Sequence, residues 1–541
     1  MKIKLLLKYI IIILIGLNIG SCGKKTKKIN KDFVYLKGNK FKLNNKKYFP
    51  LMLNYIVVFR EIEDSVVISA PKYYEKLNEY ESHNLKENTT QLNAHLQLIN
   101  EMGFNTIRLV VLDRMRKDKT GFYYNSEKKI HIKTQQNKLI NALKVYLNVV
   151  KKHNLKVMLL MENMINEPSI ELFNTAILEK FRNEPTIFAY DFFNEPLYFD
   201  NENNKAVHRT KESAFEIVTD WRNMMDKHAP YQLFTIGFSE PTEVFEWDPS
   251  ILPVDFISFH TYHPLRVPNE IYWYSKFAKK PWMIGETALP ADNDSVSYEH
   301  QKTFTKDVYQ RVIDCGGAGL GWWEFQEFPN FTFEASFTGI LNHEGITKTK
   351  EGNYSIIGTV KPMVKEIANF KNYKKKECKT KPNYYNMLGY NNYVTRGKII
   401  NKRTNKPIEG AVIRACNKWW SICQNTFTNK DGEFTIYSND KIARFYFSAP
   451  GMSYITALND TLKYTLVNKS EKYNIKKLPN TTLEYHKISY VPFLNNDTNV
   501  TEYSLFKFNE NMFNNAKFET YYGVVELDEL DFLNPWYHFN L

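Results

Sequence analysis

Two glutamates that each end an apolar, strand-like run are the residues of this chain with the most evident chemistry. The run FAYDFF leads into Asn194-Glu195-Pro196, and a later run, WMIG, ends at Glu286. Cleavage of a glycosidic bond needs one carboxylic acid to protonate the leaving oxygen and a second carboxylate to attack or stabilise the oxocarbenium-like carbon. Strand ends of a parallel barrel meet at one rim, so both side chains would face one cleft. The pair therefore predicts a glycosidase.

The segment that must position them, residues 33–373, alternates short apolar runs with longer amphipathic stretches. This pattern is typical of successive βα units in a parallel sheet, and its size fits a TIM barrel with elaborated loops. Gly103 suits the C-terminus of the helix-like stretch LQLINEM, and the next strand encloses Arg108. Eight strands are predicted, at Phe49–Leu53, Thr106–Leu112, Leu155–Leu160, Ile187–Phe193, Leu233–Gly237, Phe256–Phe259, Trp282–Gly285 and Gly319–Trp323.

The composition changes after the predicted barrel. Residues 374–392 are basic and contain proline without apolar periodicity, which predicts a linker. Residues 393–480 show short alternating strands separated by Asp431-Gly432 and Pro450-Gly451 turns, and they resemble the carboxypeptidase regulatory-like β-sandwich. Residues 481–541 have no assigned role; an extension of the sandwich and a separate small β module both stay open. The predicted fold class is thus α/β, a (β/α)8 TIM barrel with a C-terminal all-β sandwich domain.

Most of residues 33–373 resemble glycoside hydrolase family 5, the cellulase-like retaining barrels that place their acid and nucleophile after strands four and seven. This resemblance implies that Glu195 is the general acid/base and Glu286 the nucleophile. It also implies a set of supporting residues around the substrate: Arg108, Asn194, His260, Tyr262 and Trp323. Within the last predicted strand, alternation allows one tryptophan to face inward, and we expect this to be Trp323 while Trp322 packs against the outer helices.

Three further observations qualify the resemblance. The other two Asn-Glu-Pro motifs, containing Glu167 and Glu184, lie in polar, helical context, which predicts helix capping or solvated surface. Many family endoglucanases carry a histidine after strand three, where this chain has Asn163, and this weakens assignment to the cellulase branch. The opening stretch FKLNNKKYFPLMLNY is loosely similar to the mannan-active branches.

The N-terminus predicts export and lipid attachment. Residues 1–22 combine early lysines, an apolar run and Gly20-Ser21-Cys22, which resembles the lipobox of bacterial lipoproteins. Cys22 would then be the lipidated first residue, anchoring the protein to a membrane in the bacterial cell envelope, at the outer membrane or cell surface. Residues 23–32 are a lysine-rich tether. The alternative is an ordinary secretory signal with an incidental cysteine.

Composition and residue spacing argue against several classes of ligand and partner. The 541 residues carry a formal net charge of +13, but the lysines are spread along the chain, so no nucleic acid is expected. Metal-ligand spacing is absent, and neither a metal nor a cofactor is predicted. Five cysteines exclude a disulfide-built scaffold, while pairing of Cys416 with Cys423 stays open.

Two functional hypotheses remain. The first is a lipid-anchored retaining β-glycosidase, endo-β-mannanase- or endo-β-glucanase-like, that cleaves a β-linked poly- or oligosaccharide. The alternative is a catalytically silent, surface glycan-binding lipoprotein. The presence of both carboxylates favours the enzyme, because a protein that only binds glycans has no need for the pair.

Overall fold

The computed structural model describes residues 30–70, 84–112, 115–117, 123–125, 132–200, 209–262, 264, 266–327, 336–380, 393–417, 423–438, 442–458, 463–466 and 518–527. The predicted signal peptide with Cys22 lies outside these residues. So do much of the predicted linker and most of residues 481–541. Within the described residues, no helix has both the length and the apolar character needed to cross a membrane.

Eight parallel strands close into a barrel, which confirms the predicted fold class. Each strand pairs with the next in chain order, and the eighth pairs with the first. The first strand begins after Pro50 rather than before it, because proline cannot donate to a strand ladder. Barrel strands one to eight are Leu51–Ile56, Thr106–Val110, Lys156–Leu160, Ile187–Asn194, Leu233–Phe238, Ile257–His260, Trp282–Glu286 and Leu320–Trp322.

Amphipathic helices surround the strands. The helix before strand two begins at the N-cap Asn84, whose side chain accepts a hydrogen bond from the Glu87 amide at 2.9 Å. Its chain leaves through Gly103 at φ +100°, the left-handed conformation expected there. In the described residues, the α-helices are Leu85–Glu101, Ile132–Lys152, Pro168–Lys180, Pro196–Phe199, Lys211–His228, Val267–Phe277, Tyr298–Asp314 and Val364–Ala368, with 3₁₀ turns at Pro241–Phe245 and Phe370–Asn372.

Short antiparallel sheets lie outside the barrel strands. One covers the N-terminal end of the barrel. There the Phe41 ring packs edge-on against the rings of Phe188 and Phe256, with centroid distances of 5.9 and 5.0 Å. The opposite end stays open for a site. The strands of these small sheets are Tyr35–Lys37, Lys40–Leu43 and Lys46–Lys47; Val58–Ile62 and Ser65–Ser69; Met115–Lys117 and Tyr123–Asn125; and Ile346–Lys348 and Ser355–Ile357.

Two four-stranded sheets form the C-terminal region and enclose a separate apolar core. Phe434 and Ile436 from one sheet pack with Phe445 and Phe447 from the other. The first sheet contains Tyr393–Asn401, Glu433–Ser438, Lys463–Leu466 and Phe518–Leu527; the second contains Val412–Asn417, Cys423–Phe427, Ile442–Ser448 and Ile455–Leu458. The strand Phe518–Leu527 pairs parallel with Tyr393–Asn401, so a part of the last sixty residues extends the sandwich.

The sandwich lies directly against the barrel. The Lys211 ammonium is buried between Asp248, at 2.9 Å, and the carbonyl oxygen of Met452, at 2.8 Å. The Trp273 indole donates to the Gly410 carbonyl at 2.8 Å, and a Cβ on Gly410 would come within 2.5 Å of the Phe277 ring. Such close backbone contact fixes the position of one domain on the other.

Two disulfides join the four cysteines of the described residues. Cys416 pairs with Cys423 across neighbouring strands, with Cα atoms 4.1 Å apart. Cys315, at the end of the helix before strand eight, pairs with Cys378 at a Cα separation of 4.7 Å. No sequence pattern predicted the second bond, which ties the chain leaving the barrel back to it.

Candidate active site

A cleft opens at the C-terminal end of the barrel strands. Its volume is about 350 Å³. Every predicted catalytic and supporting residue except Arg108 lines it, and Arg108 lies directly beneath. The lining comprises Asn194, Glu195, Tyr198, Phe199, Ser239, Glu240, His260, Thr261, Tyr262, Arg266, Glu270, Glu286 and Trp323. The structure therefore brings together residues that the sequence places on strands two, four, six, seven and eight.

Glu286 is held as a carboxylate by two donors. Arg108 Nη1 donates to Oε1, and the Tyr262 hydroxyl donates to Oε2. Burial and the adjacent Glu286 carboxylate raise the pKa of Tyr262 well above its usual range, so the phenol stays protonated and donates. An anion that is fixed in orientation and contacted by a guanidinium is suited to nucleophilic attack.

Glu195 is held differently. Its backbone has φ +47°, a left-handed conformation that is uncommon for any residue with a side chain, and its amide donates to the Gly237 carbonyl at 2.6 Å. Oε1 forms a hydrogen bond of 2.8 Å with His260 Nδ1. Burial raises the pKa of Glu195 to about 7; Asp191 also raises it, whereas Arg108 opposes the shift. A carboxyl group with this pKa still carries its proton in about half of the molecules at pH 7.

The two carboxyl groups lie close together. One oxygen of Glu195, one of Glu286 and a ring nitrogen of His260 are all within 4.8 Å of one another. Retaining glycosidases separate their carboxyl groups by about 5 to 5.5 Å, and inverting enzymes by roughly 6.5 to 9.5 Å to make room for a water. The same three side chains have the spacing of metal donors, but the Arg108 cation already contacts Glu286.

Arg108 organises the floor of the cleft. Its side chain is fully buried and donates to Asp191 at 2.9 Å, to Asn54 at 3.1 Å and to Asn194 at 2.8 Å, in addition to Glu286. A buried guanidinium requires such partners. With its oxygen engaged by Arg108, Asn194 retains an NH₂ group that can donate into the cleft.

His260 fits because two neighbouring strands carry glycine beside it. A Cβ on Gly237 or on Gly285 would lie 3.0 Å from the imidazole ring. Burial lowers the pKa of His260 to about 4, so the ring is neutral at physiological pH. A neutral imidazole can accept a hydrogen bond from protonated Glu195 at Nδ1 or donate one from it to the ionised carboxylate, so the contact suits both states of the acid.

The tryptophans after strand eight divide as alternation predicts. Trp323 lines the cleft, whereas Trp322 is buried, packs edge-on against Phe304 of an outer helix and donates its indole N–H to the Thr338 carbonyl at 3.0 Å. Asn163 does not line the cleft; its side chain accepts from the Ile165 amide at 3.0 Å and stabilises a local turn.

The other two Asn-Glu-Pro motifs lie away from the cleft. Glu167 precedes the helix Pro168–Lys180. Glu184 accepts from the Thr186 amide at 2.9 Å, just before strand four. Glu167 occupies the N-cap position without a side-chain capping hydrogen bond, and both glutamates are half-buried, so neither is a side-chain cap or a fully solvated residue.

Sequence reasoning missed several polar residues of the site. Asp191 and Asn54 lie within apolar strands, and a polar residue in such a run was the available signal. Glu243 is fully buried behind Glu195 and accepts from the amides of Ser239, at 3.0 Å, and Leu197, at 3.3 Å; burial raises its pKa to about 8. No sequence pattern marked Glu243.

Comparison with known proteins agrees with the geometry. Residues 68–314 match the family model described as Cellulase (glycosyl hydrolase family 5), a span that contains barrel strands two to seven and both glutamates. The comparison with curated proteins found no match.

Solved structures give weaker likenesses. GH5_18 from Streptomyces cattleya in complex with GlcNAc is 13% identical over 66% of this chain and 85% of its own, with a TM-score of 0.44. An exo-β-1,4-mannosidase from Opitutaceae bacterium strain TAV5 is 14% identical over 64% and 62%, with a TM-score of 0.42. The family 5 mannosidase from Rhizomucor miehei is 12% identical over 63% and 97%, with a TM-score of 0.40. Identities this low say nothing about substrate; the family match supports a glycosyl hydrolase family 5 domain over residues 68–314.

Proposed function

We propose that this protein is a retaining β-glycoside hydrolase that acts on a β-linked poly- or oligosaccharide. The observation that carries the proposal is the spacing of at most 4.8 Å between a carboxylate oxygen of Glu195 and one of Glu286 across the cleft. At this spacing the nucleophile touches the anomeric carbon while the acid reaches the oxygen that leaves it.

In the first step, a Glu286 oxygen attacks the anomeric carbon and forms a glycosyl ester. The bond from that carbon to the leaving oxygen breaks, and Glu195 transfers its proton to this oxygen. Tyr262 and Arg108 release part of their hold on Glu286 as its negative charge is lost to the new bond. Because burial raises the pKa of Glu195 to about 7, this side chain can supply the proton up to neutral pH.

In the second step, water hydrolyses the ester. Glu195, now ionised, takes a proton from the water. The oxygen of this water attacks the anomeric carbon, and Glu286 leaves as a carboxylate. The Glu195 proton is thereby restored. Loss of the Glu286 charge in the glycosyl ester favours ionisation of Glu195 between the two steps, so one pair serves both.

The remaining side chains bind the sugar. The NH₂ group of Asn194 is available to a hydroxyl next to the anomeric carbon, an interaction of the kind that strengthens in the transition state. The ring of Trp323 offers an apolar face to the C–H face of a pyranose. Because the cleft also contains Glu240 and Glu270, we expect a neutral sugar rather than a uronic acid.

Mutation and product stereochemistry test the proposal. Glu195→Gln and Glu286→Gln should each lower hydrolysis of a natural glycan by about 10² to 10⁴ without loss of fold, and the exposed Glu299→Gln should leave it unchanged. Proton NMR should find the β-anomer as the first product. Release of the α-anomer from a β-linked substrate would reject retention, and glycan binding without turnover by the wild type would favour the alternative of a silent binding protein.

A panel of substrates would define specificity. We propose mannan- or glucan-type β-linked chains, with endo-acting mannanase- or glucanase-like cleavage. The wild-type protein should be assayed against β-mannans, β-glucans and host-type glycans by reducing-sugar release and product chromatography. Turnover confined to glycans outside the first two groups would replace this assignment while leaving the two-carboxylate chemistry intact.

We further propose attachment to a membrane of the bacterial cell envelope through a lipid on Cys22. The lipobox-like residues support this, and the two disulfides are typical of an oxidising compartment. Cys22→Ser should abolish metabolic labelling by a fatty acid and move the protein out of the detergent phase. A chain starting at Lys31 should stay soluble and fully active; persistent labelling of Cys22→Ser would refute the assignment.

A further inference from the structure

We propose that the junction between barrel and sandwich is an additional glycan subsite, continuous with the catalytic cleft, in which the sandwich contacts a sugar beyond the one being cleaved. The inference rests on the proposed glycosidase function and specifies its substrate: a neutral chain long enough to reach the second domain.

The junction pocket and the catalytic cleft share a wall. Glu240, Arg266 and Glu270 line both of them. On the far side of this wall the sandwich contributes Asn425 and Phe427. A glycan that leaves the catalytic cleft over these shared residues therefore meets the sandwich next.

A hydrogen-bonded path links the two spaces. The Asn425 amide donates to Glu240 Oε2 at 3.3 Å, and Tyr198, which lines the catalytic cleft, donates to Glu240 Oε1 at 3.1 Å. Arg266 pairs with Glu240 and with Glu270. The shared wall thus presents fixed polar groups on both faces.

The chemistry of the pocket suits hydroxyl groups. Thr242 is fully buried and its hydroxyl has no hydrogen-bond partner, and the side-chain oxygen of Asn425 also has none. A polar atom without a partner and with almost no accessible surface is costly, and it reaches a ligand only when the pocket lining shifts on binding. The Phe427 ring adds an apolar surface for a C–H face. Two carboxylates against one guanidinium in the wall disfavour an anionic ligand.

The size of the pocket sets what enters. Its volume is about 60 Å³, enough for roughly four waters. This accommodates the hydroxyl-bearing edge of one sugar ring, with the remainder of the ring at the open mouth. The rigid docking of the sandwich through Lys211 and Trp273 keeps the pocket at this width.

The dependence of activity on substrate length distinguishes a glycan subsite from an effect on the catalytic cleft itself. Wild type, Asn425→Ala and Asn425→Trp should be compared on the 4-nitrophenyl β-monosaccharide that the wild type cleaves and on β-1,4-oligosaccharides of two to six units of the same sugar. Asn425→Ala should lower kcat/KM for the longest chains about three- to tenfold, mainly through KM, and Asn425→Trp, which fills the pocket, should lower it further. Activity on the monosaccharide should stay within about twofold.

Asn353→Ala, an exposed amide on the Ser355–Ile357 hairpin, is the matched control and should behave as wild type. Thermal melts establish that each variant is folded. Equal losses on short and long substrates would mean that Asn425 acts only by positioning Glu240 and would overturn the subsite. So would no loss at any length. A wild type that cleaves no glycoside at all would instead overturn the proposed function, and the subsite with it.

Discussion

The pH dependence of hydrolysis follows directly from the surroundings of Glu195. The first step requires this side chain in its protonated form, and burial raises its pKa to about 7. The proton is therefore present below pH 7 and lost as the pH rises through 7. We expect about a tenth of the enzyme to be competent at pH 8 and about a hundredth at pH 9, so kcat/KM should fall about tenfold per pH unit on this limb.

The assay is kcat/KM for a natural glycan between pH 5 and 9, repeated with an activated aryl glycoside. On the aryl substrate, Glu195→Gln should remove the alkaline limb, because this leaving group needs little protonation. The buried Glu243, with a pKa raised to about 8, is the other acid nearby, and Glu243→Gln should leave the limb in place. A limb that survives Glu195→Gln would refute the assignment of the acid.

Asp191 provides an independent check that nearby charge contributes to the raised pKa of Glu195. Its negative charge raises the pKa of Glu195, so Asp191→Asn should move the alkaline limb to lower pH. Because the variant keeps an oxygen that can accept from Arg108, its fold should persist. A limb that stays at its wild-type position, or moves to higher pH, would contradict the electrostatic account.

Three further outcomes are expected. On an activated aryl glycoside, Glu195→Gln should lose less activity than it does on the natural glycan; equal losses would argue against its acid role. Tyr262→Phe removes a donor to Glu286 and should lower kcat/KM roughly 10- to 100-fold with little change in melting temperature. Lys211→Met leaves Asp248 buried without its cation and should lower the free energy of unfolding by about 3 to 5 kcal/mol in urea titrations, whereas the exposed Lys430→Met should change it little.

The barrel and the placement of Glu195 and Glu286 at one rim were predictable because each depends on local pattern. Strand four is an uninterrupted apolar run that stops at Asn194-Glu195, and strand seven stops at Glu286, so chain direction alone assigns both to one rim. Arg108 lies within an apolar strand, and this position likewise predicted an acidic partner. These inferences need only the rule that the carboxyl ends of parallel strands share a face.

The rest depends on contacts between distant segments. Glu243 is buried because the turn it occupies folds behind Glu195, and nothing in its neighbours' types marks this. The Cys315–Cys378 bond depends on where the chain runs after the barrel. The docking of the sandwich through Lys211 joins residues that are more than two hundred positions apart, beyond the reach of any local pattern.

The Cys315–Cys378 disulfide has a consequence for how the barrel closes. Its loop, with a sequence separation of 63, contains strand eight and Trp323, and strand eight forms the seam with strand one. Linking the ends of such a loop lowers the entropy of the unfolded chain, which stabilises the folded state by about 4 kcal/mol in the chain-entropy model. The bond therefore favours recovery of the seam whenever it opens, and a protease cut inside the loop would leave both fragments covalently joined. After such a cut, the part of the cleft that carries Trp323 would thus remain attached to the rest of the chain.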